Sequence, residues 1–381
     1  MGYSWVSTEA RTGKIISDLL NFDLPSVKMT AGRYETTSGT LPINTADAPA
    51  DWQRATQEGA ATLILLADNP ADPSHGIPIW GGIVTMVELT EADTVTVSLV
   101  TAEGYLDRRF VGDKTYAATG QNAIVADLIA SFTADGSTYG LPIRVQQVGG
   151  VGVLRDRSFA DIDDKTVYSV LTDLAGLQSP IEWYIGYEWQ TAPERITPVL
   201  YVGSRIGTPA PAGLGPSATF EIPGAISTIK LTRSYQAGNG ANDVMAVSSG
   251  QGTARPQSPR QTAPNAARLT FEHRFTPSTS ITDIATLTAH AQTALAALAG
   301  GSVTGQFSAA EVDAPRLGID WGMGDDVGYT IGGINSDGTQ QVPAFPGGLS
   351  GTGRVVGWEL TLGDTRMVTP ILASSTGGFN A

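Results

Sequence analysis

The side chains that most often carry enzyme chemistry are few in this chain and poorly spaced for it. Its 381 residues include no Cys, which excludes disulfides, Cys-ligated zinc and thiol nucleophiles. The three histidines, His75, His273 and His290, share no metal-ligand spacing on one element. We interpret them as surface or half-buried structural residues and not as metal ligands or general bases.

The short motifs of hydrolases, metalloproteases and nucleotide-binding enzymes are also absent from the sequence. The acidic run at residues 161–164, Asp-Ile-Asp-Asp, fails the spacing of a calcium loop because Thr166 stands where the required Gly would be. We interpret this run as a solvated turn that caps the following helix, with Asp164 as the N-cap. The sequence therefore predicts no catalytic residue, no metal site and no cofactor.

An aromatic strand is the remaining candidate for ligand binding. Trp183, Tyr187 and Trp189 fall on alternate positions of one apolar segment. Aromatic rings at this spacing could stack on sugar faces, or they could pack into a core. Core packing against the preceding helix is the favoured interpretation, because aromatic side chains dominate core burial.

The first part of the chain has the pattern of strands. In residues 94–101, Val95, Val97 and Leu99 alternate with Thr and Ser, which predicts a half-buried strand with the three apolar side chains in the core. Residues 62–66 and 77–89 predict two further strands, and residues 90–93 a hairpin loop. Within the second of these strands, Gly81-Gly82 is the pattern of a bulge or a bend.

Helical periodicity appears in three places, at residues 123–132, 167–174 and 282–298. The third helix has a narrow apolar face, formed by Ile284, Leu287, Ala291, Leu295 and Leu298. Residues 181–189 and 196–202 predict a hairpin between the second and third helices.

The remaining segments again favour strands. They lie at residues 218–222, 226–234, 244–249, 303–312, 327–331, 355–362 and 367–372. Residues 209–216 are rich in Pro, Gly and Ala and predict a boundary. Residues 251–265 predict an exposed polar loop, and Gly363-Asp364 a two-residue hairpin turn.

Composition limits the function further. Hydrophobic residues make up 41% of the chain, charged residues 16%, and the net charge is −14. An acidic chain is a poor candidate for gripping nucleic acid, because affinity for phosphate comes mainly from Lys and Arg. No apolar run reaches the ~18 residues that span a membrane, and the first residues do not form a secretory signal. We expect assembly in the cytoplasm of a cell.

Three segments stand out for their order along the chain. Residues 6–16, Val-Ser-Thr-Glu-Ala-Arg-Thr-Gly-Lys-Ile-Ile, continue through Leu19-Leu20 to Ala31-Gly32-Arg33. The second segment joins Glu182-Trp183-Tyr184 and Trp189 to Tyr-Val-Gly-Ser-Arg-Ile-Gly at residues 201–207. The third is Gly-Met-Gly-Asp-Asp-Val at residues 322–327.

In this order, the segments resemble the minor tail, or tail-hub, proteins of long-tailed bacteriophages that infect actinobacteria. There, an opening strand pair with a Gly turn begins the first barrel. An aromatic hairpin closed by Gly-x-x-x-Gly follows, and a Gly-Asp-x-Val turn introduces a strand of a hub barrel.

The resemblance implies a β-rich, α+β chain with two tube-like β-barrel domains and helix-containing insertions. The coarse pattern of elements fits this arrangement. The first barrel would cover residues 1–115 and a helix-containing α+β domain residues 116–216. The second barrel would combine residues 217–250 and 302–381, and residues 251–301 would be a loop-and-helix insertion.

The resemblance also implies a structural role in the virion. Three copies would form a hub ring that closes or adapts the distal end of the tail tube and lets DNA pass. Expected partners are further copies of the chain, the distal tail or tail tube protein, the tape measure protein, and other tail-tip or fibre proteins. DNA would be a partner only in transit.

Three alternatives stay open at this point. The chain could be a tail-associated glycosidase or peptidase, although its motifs are absent and no enzymatic or fibre extension follows the second barrel in this sequence. It could be a carbohydrate-binding protein that contacts the host surface. It could also form a different ring of the same tail tip, with sixfold symmetry.

Overall fold

The computed structural model describes residues 2–133, 140–177, 179–250, 252, 255–264, 267–277, 281–335 and 337–373. In these ranges the chain is mostly β, with few helices and a curled half-barrel sheet.

The strands up to residue 203 are β1 (Tyr3–Glu9), β2 (Ile15–Asp18), β3 (Ser26–Thr30), β4 (Thr36–Pro42), β5 (Ala61–Ala67), β6 (Ile77–Glu91), β7 (Thr94–Thr101), β8 (Lys114–Gly120), β9 (Arg144–Val148), β10 (Leu154–Phe159), β11 (Glu182–Thr191) and β12 (Glu194–Gly203). The later strands are β13 (Thr219–Ile222), β14 (Ile226–Ser234), β15 (Asp243–Ala246), β16 (Gln261–Thr262), β17 (Glu272–Phe275), β18 (Ser302–Ala310), β19 (Asp326–Ile331), β20 (Leu349–Thr361) and β21 (Met367–Leu372). The helices are α1 (Trp52–Ala55), α2 (Ala102–Leu106), α3 (Gln121–Thr133), α4 (Val167–Ala175) and α5 (Ile284–Leu298), and a 3₁₀ turn covers Asp161–Asp163.

The described residues divide into two compact units. Residues 2–227 and 308–373 form the first unit, and residues 228–307 form the second. The predicted division into two barrels, an α+β domain and an insertion is a finer one, and it stays a prediction.

The first unit contains a six-stranded antiparallel sheet in the order β2-β1-β5-β6-β7-β4. Along β7, Val95, Val97 and Leu99 are buried and the alternate Thr and Ser residues are half-buried. The predicted register of this strand is confirmed, and it follows from the period of two in the sequence. All residues of β5 are buried, as expected for a continuous apolar strand covered on both faces.

The glycine pair in β6 permits close packing. A Cβ on Gly81 would lie 2.4 Å from the ring of Tyr187, and a Cβ on Gly82 would lie 2.6 Å from the ring of Trp80. The register shifts of β6 against β5 and β7 lie on either side of this pair. The predicted bulge is therefore displaced from the glycines, which are needed because neighbouring rings occupy the space of a side chain.

The second sheet of the first unit is built on β20. Strands β19 and β21 pair antiparallel with β20, and β13 joins parallel to β19. Strand β3 also pairs antiparallel with β20, with Met29 opposite Trp358. An N-terminal strand thus completes a sheet made of C-terminal strands, although β3 lies within the residues predicted as the first barrel.

The region between these sheets in sequence contains α3, α4 and the predicted hairpin of β11 and β12, with β9 parallel to β12. The apolar stripes of α3 and α4 are buried, as predicted, in one core with the hairpin. The cap of α4 differs from the prediction. Thr166 is the N-cap and its Oγ1 accepts a hydrogen bond from Ser169 N at 3.1 Å. Asp164 instead has a left-handed conformation with φ 48°, unlike the extended backbone that an N-cap usually adopts.

The second unit contains the sheet β16-β15-β17 and helix α5. Asp283 caps α5 by accepting a hydrogen bond from Thr286 N at 2.7 Å. Leu287 and Ala291 of the predicted apolar face are buried, but Ile284 is 55% exposed and does not belong to that face. Ile284 is exposed because it is the first residue of the helix.

Two loop predictions in this part of the chain need correction. The predicted exposed loop at 251–265 contains β16, which pairs with β15, and Ser258 is buried. Residues 251, 253, 254 and 265 of that loop lie outside the described residues. The predicted two-residue turn at Gly363-Asp364 is a five-residue loop, because Thr361 pairs with Met367 and its Oγ1 accepts a hydrogen bond from Met367 N at 2.8 Å.

The turn between β6 and β7 is shorter than predicted, because Glu91 already pairs with Thr94. In the described ranges, no helix combines the length and the apolar character needed to cross a membrane.

Candidate functional site

Two segments singled out by their sequence, 201–207 and 322–327, meet in the first unit. The contact is organised by Arg354 of β20, which forms a two-pronged, half-buried ion pair with Glu182 of β11. The same guanidinium donates to Ile206 O at 3.2 Å and to Gly324 O at 3.3 Å. Arg354 thus links the aromatic hairpin to the second sheet, and we name this contact region, residues 182, 205–210, 322–326 and 354, the joint.

Two of the three carboxylates of the joint, Asp325 and Asp326, bind backbone donors. Asp325 accepts hydrogen bonds from Thr208 N at 2.6 Å and from Gly322 N at 2.8 Å. Asp326 accepts from Ala210 N at 2.9 Å and pairs with Arg205 at 2.7 Å. Each acid therefore satisfies donors of the irregular segment that follows β12, where strand pairing has ended.

Close backbone packing explains the glycines of both segments. Gly207 and Gly324 have φ of +75° and +84°, a region that favours Gly. A Cβ on Gly207 would lie 2.1 Å from Gly324 C, and a Cβ on Gly324 would lie 2.4 Å from Ile206 O. The two turns are in direct contact, so neither position has space for a side chain.

The outer face of the hairpin carries a polar aromatic cluster beside the joint. Tyr184 and Tyr201 stack with ring centroids 4.8 Å apart and an interplanar angle of 11°. Tyr201 donates its hydroxyl hydrogen to Glu188, which also pairs with Arg144. Burial first, and neighbouring carboxylates second, raise the pKa of both tyrosines, so both rings stay neutral at physiological pH.

His75 is the one histidine with several polar neighbours in the described part of the chain. Its Nδ1 lies 2.8 Å from Asp72 Oδ2 and 3.0 Å from Ser74 Oγ, and its Nε2 lies 3.3 Å from Glu194 Oε1. The hydrogen bond that the ring donates to the Asp72 carboxylate raises the pKa of His75. Ser74 and Asp72 thus lie at one ring nitrogen of His75, and Glu194 lies at the other.

The other sequence candidates are not brought together. His273 lies on β17 beside Phe275, His290 is exposed on α5, and residues 161–164 form an exposed turn. Among the described residues, no group of three or more His, Asp or Glu side chains is placed to hold a metal ion.

The aromatic strand packs mainly inwards. Trp183 and Tyr187 are buried in the core of the first unit, which confirms the favoured interpretation for them. Trp189 is half-buried, donates its Nε1 hydrogen to Gly76 O at 2.6 Å, and packs edge-on against His75. These three rings do not form an open sugar-stacking platform.

The basic half of the joint was not predicted from the sequence. Arg205 and Arg354 carry no local signal, because their partners Asp326 and Glu182 are 121 and 172 residues away in sequence. The glycine spacing and the Asp-Asp pair were visible, but their mutual contact was not.

The fold was compared with known structures. The chain is similar to the prophage MuSo2 43 kDa tail protein of Shewanella oneidensis, with 12% identity, a TM-score of 0.57 and coverage of 98% of both chains. It is similar to a tail protein of Neisseria meningitidis MC58, with 13% identity, a TM-score of 0.53 and coverage of 98% of this chain and 96% of that one. The chain has the fold of these tail proteins.

A third similar structure is the lidded PdpA–VgrG complex of Francisella, with 6% identity and a TM-score of 0.52 over 96% of this chain and 52% of that one. No protein-family model matches the sequence, and no curated protein matches it. At these identities the likeness is one of fold, and the predicted β-rich, α+β, tail-hub-like fold class is confirmed.

Proposed function

We propose that this chain is a structural protein of a bacteriophage tail tip. Three copies form a hub ring that closes or adapts the distal end of the tail tube and lets DNA pass. The fold shared with two tail proteins over nearly the full length of each chain is the observation that carries this proposal. The assignment to long-tailed phages of actinobacteria rests on the sequence resemblance.

Ring formation is supported by the sheets of the first unit. Each copy contributes a six-stranded sheet that ends at β2 and β4, and the outer side of β4 pairs within the copy where Thr40 exchanges hydrogen bonds with Asp23. A ring closes through contacts between two different faces of each copy, and such contacts can cover edges that would otherwise invite aggregation. Three copies with two tube-like barrels each would match a sixfold tube.

Passage of DNA is supported by the charge of the six-stranded sheet. None of its strands contains Lys or Arg, whereas they carry Glu9, Asp18, Glu88 and Glu91. The outward face of β4 and β7 carries mainly Thr and Ser hydroxyls, which are exposed on β4 and half-buried on β7. A wall of this kind offers phosphate no cation to bind, so the polymer can slide.

The proposed lumen is net acidic. Each copy has a net charge of −14, so three copies together carry a formal charge of −42. Screening over ~8 Å at physiological salt means that only the charges close to the wall act on DNA. The six-stranded sheet, whose strands contain no Lys or Arg, is the part of the chain best suited to line the lumen.

The proposed partners are the distal tail or tail tube protein, the tape measure protein and other tail-tip or fibre proteins, in addition to further copies of this chain. The proposed role is structural and non-enzymatic, in a virion that assembles in the host cytoplasm. Turnover of cell-wall material by the purified chain would contradict it.

The stoichiometry of the assembled particle tests the proposal. Electron microscopy of the tail tip, with mass measurement of the purified ring, should give three copies, or about 119 kDa from three chains of 39.7 kDa. A sixfold ring of this chain would instead indicate a different ring of the same tip. A bore lined mainly by Arg would refute the proposed passage surface.

A further inference from the structure

A cleft of about 300 Å³ opens where β6, β11 and β12 meet the loop at residues 317–325. Five aromatic residues line it, together with two methionines and aliphatic side chains of β6: Tyr184, Tyr187, Tyr201, Trp321 and Trp358. This volume is at the small end of ligand pockets, which measure ~300–1,000 Å³. The cleft therefore suits one small organic ligand or one long side chain of a partner.

The stacked tyrosines at the cleft depend on a glycine between them. A Cβ on Gly186 would lie 3.3 Å from the rings of both Tyr184 and Tyr201. A side chain at this position would crowd both rings, so Gly186 leaves them room to stack on each other. The face of an aromatic ring carries negative potential, so a cleft lined by five aromatic residues attracts positive charge.

Asp325 adds a full negative charge to this surface. It is the one charged side chain among the described residues that line the cleft. Backbone donors from Thr208 and Gly322 fix its two oxygens, and each oxygen retains a lone pair for a further donor. The arginines of the joint are already paired, Arg354 with Glu182 and Arg205 with Asp326.

The surroundings of the Tyr184 hydroxyl are also electronegative. After burial, the negative charges of Asp325 and Glu188 are the next causes that raise the pKa of its hydroxyl. An electronegative aromatic cleft without its own cation is the arrangement by which proteins recognise ammonium groups.

We propose that this cleft binds an organic cation, an alkylammonium or guanidinium group held between the aromatic rings and the carboxylate of Asp325. The site lies outside the ring-forming role proposed above and does not depend on it. The cation is either a free amine or the side chain of a Lys or Arg residue of a partner protein, and both present the same chemistry.

Binding is measured on the full chain by calorimetry and by tryptophan fluorescence, since Trp321 and Trp358 line the cleft. The probes are n-butylammonium with its uncharged counterpart 1-butanol, and Nα-acetyl-lysine methylamide with the norleucine analogue. Each cation should bind about tenfold more tightly than its neutral counterpart. Added salt should lower the affinity of the cations and leave that of the neutral probes unchanged. Tighter binding of the lysine amide than of butylammonium indicates a protein side chain, and equal binding a free amine.

Matched variants test the assignment of the site. Asp325→Asn should weaken binding of the cations about tenfold, whereas Asp326→Asn, which alters the same joint but does not line the cleft, should not. Tyr184→Phe should retain binding and Tyr184→Leu should lose it. Melting temperatures confirm that each variant folds, and the comparison of cation with neutral probe needs no variant. Equal affinity for charged and neutral probes, no binding of any cation, or equal losses in the two Asp variants would overturn the proposal.

Discussion

Single residues on β7 test the register that the sequence predicts. Val97 is fully buried, whereas the neighbouring Thr96 is half-buried on the opposite face. Val97→Asp should destabilise the chain by about 3 kcal/mol or more, because it buries an unpaired charge. Thr96→Asp should cost about 1 kcal/mol or less, even though Glu88 lies opposite it in the sheet. Urea unfolding of both variants measures this, and a larger loss for Thr96→Asp would show that the register is wrong.

Glu103 is the residue whose environment the sequence does not reveal. This carboxylate on α2 is buried, and it accepts a hydrogen bond from Ile185 N at 2.9 Å. It thereby satisfies a backbone donor at the edge of β11 that lacks a strand partner on that side. Burial raises the pKa of Glu103 from 4.5 to about 7.

This raised pKa makes stability depend on pH in a defined direction. Between about pH 4.5 and about pH 7, the folded chain keeps a proton on Glu103 that the unfolded chain has lost. The free energy of unfolding should therefore fall as pH rises through this window, by about 3 kcal/mol in total. Glu103→Gln should remove that slope. The free energy of unfolding of the variant should therefore rise relative to that of the wild type between pH 5 and pH 8.

Urea unfolding at both pH values checks the effect. His75, whose pKa is also raised, titrates in both proteins, so its contribution cancels in the comparison. Parallel pH profiles for the wild type and Glu103→Gln would contradict the assignment.

At the scale of elements, the joint predicts a difference between two glycines with similar backbone angles. Gly207 has φ +75° and Gly213 has φ +79°, but only Gly207 has atoms close to the position of a Cβ. Gly213→Ala should cost about 1–2 kcal/mol, the strain of a left-handed residue. Gly207→Ala should cost about 2 kcal/mol more, because the turn containing Gly324 must move and its hydrogen bonds weaken.

Thermal and urea unfolding of both variants measure these costs. Gly213→Ala is the control for backbone strain alone. Equal losses in the two variants would mean that the contact between the two turns contributes nothing to stability.

Elements differed in how well their sequence predicted them. The alternation in β7 and the apolar stripes of α3 and α4 placed these elements correctly, because periodicity is local and burial of one face enforces it. The predictions of an N-cap at Asp164 and of a two-residue turn at Gly363-Asp364 were wrong. In both cases a nearby Thr forms the hydrogen bond that fixes the local structure.

At the scale of the whole molecule, the charge distribution predicts weak contact with nucleic acid. The chain should not be retained on double-stranded DNA at about 50 mM salt, since non-specific binding needs Lys and Arg against phosphate. As a positive control, a variant with Ser38→Lys and Thr40→Lys places two cations on exposed positions of β4 and should show salt-sensitive retention. Electrophoretic mobility shift measures both, and strong retention of the wild type would contradict the proposed passage surface.

The sequence by itself determined the β-rich class, the core face of β7, the main helices and the lack of catalytic motifs. These properties depend on composition and on short-range periodicity, which act within a few residues. Only the tertiary structure decided that β3 pairs with β20, that Arg354 reaches Glu182, and that Asp325 joins five aromatic residues in one cleft. Such contacts join residues from distant parts of the chain, and packing of the sheets, not local preference, selects them.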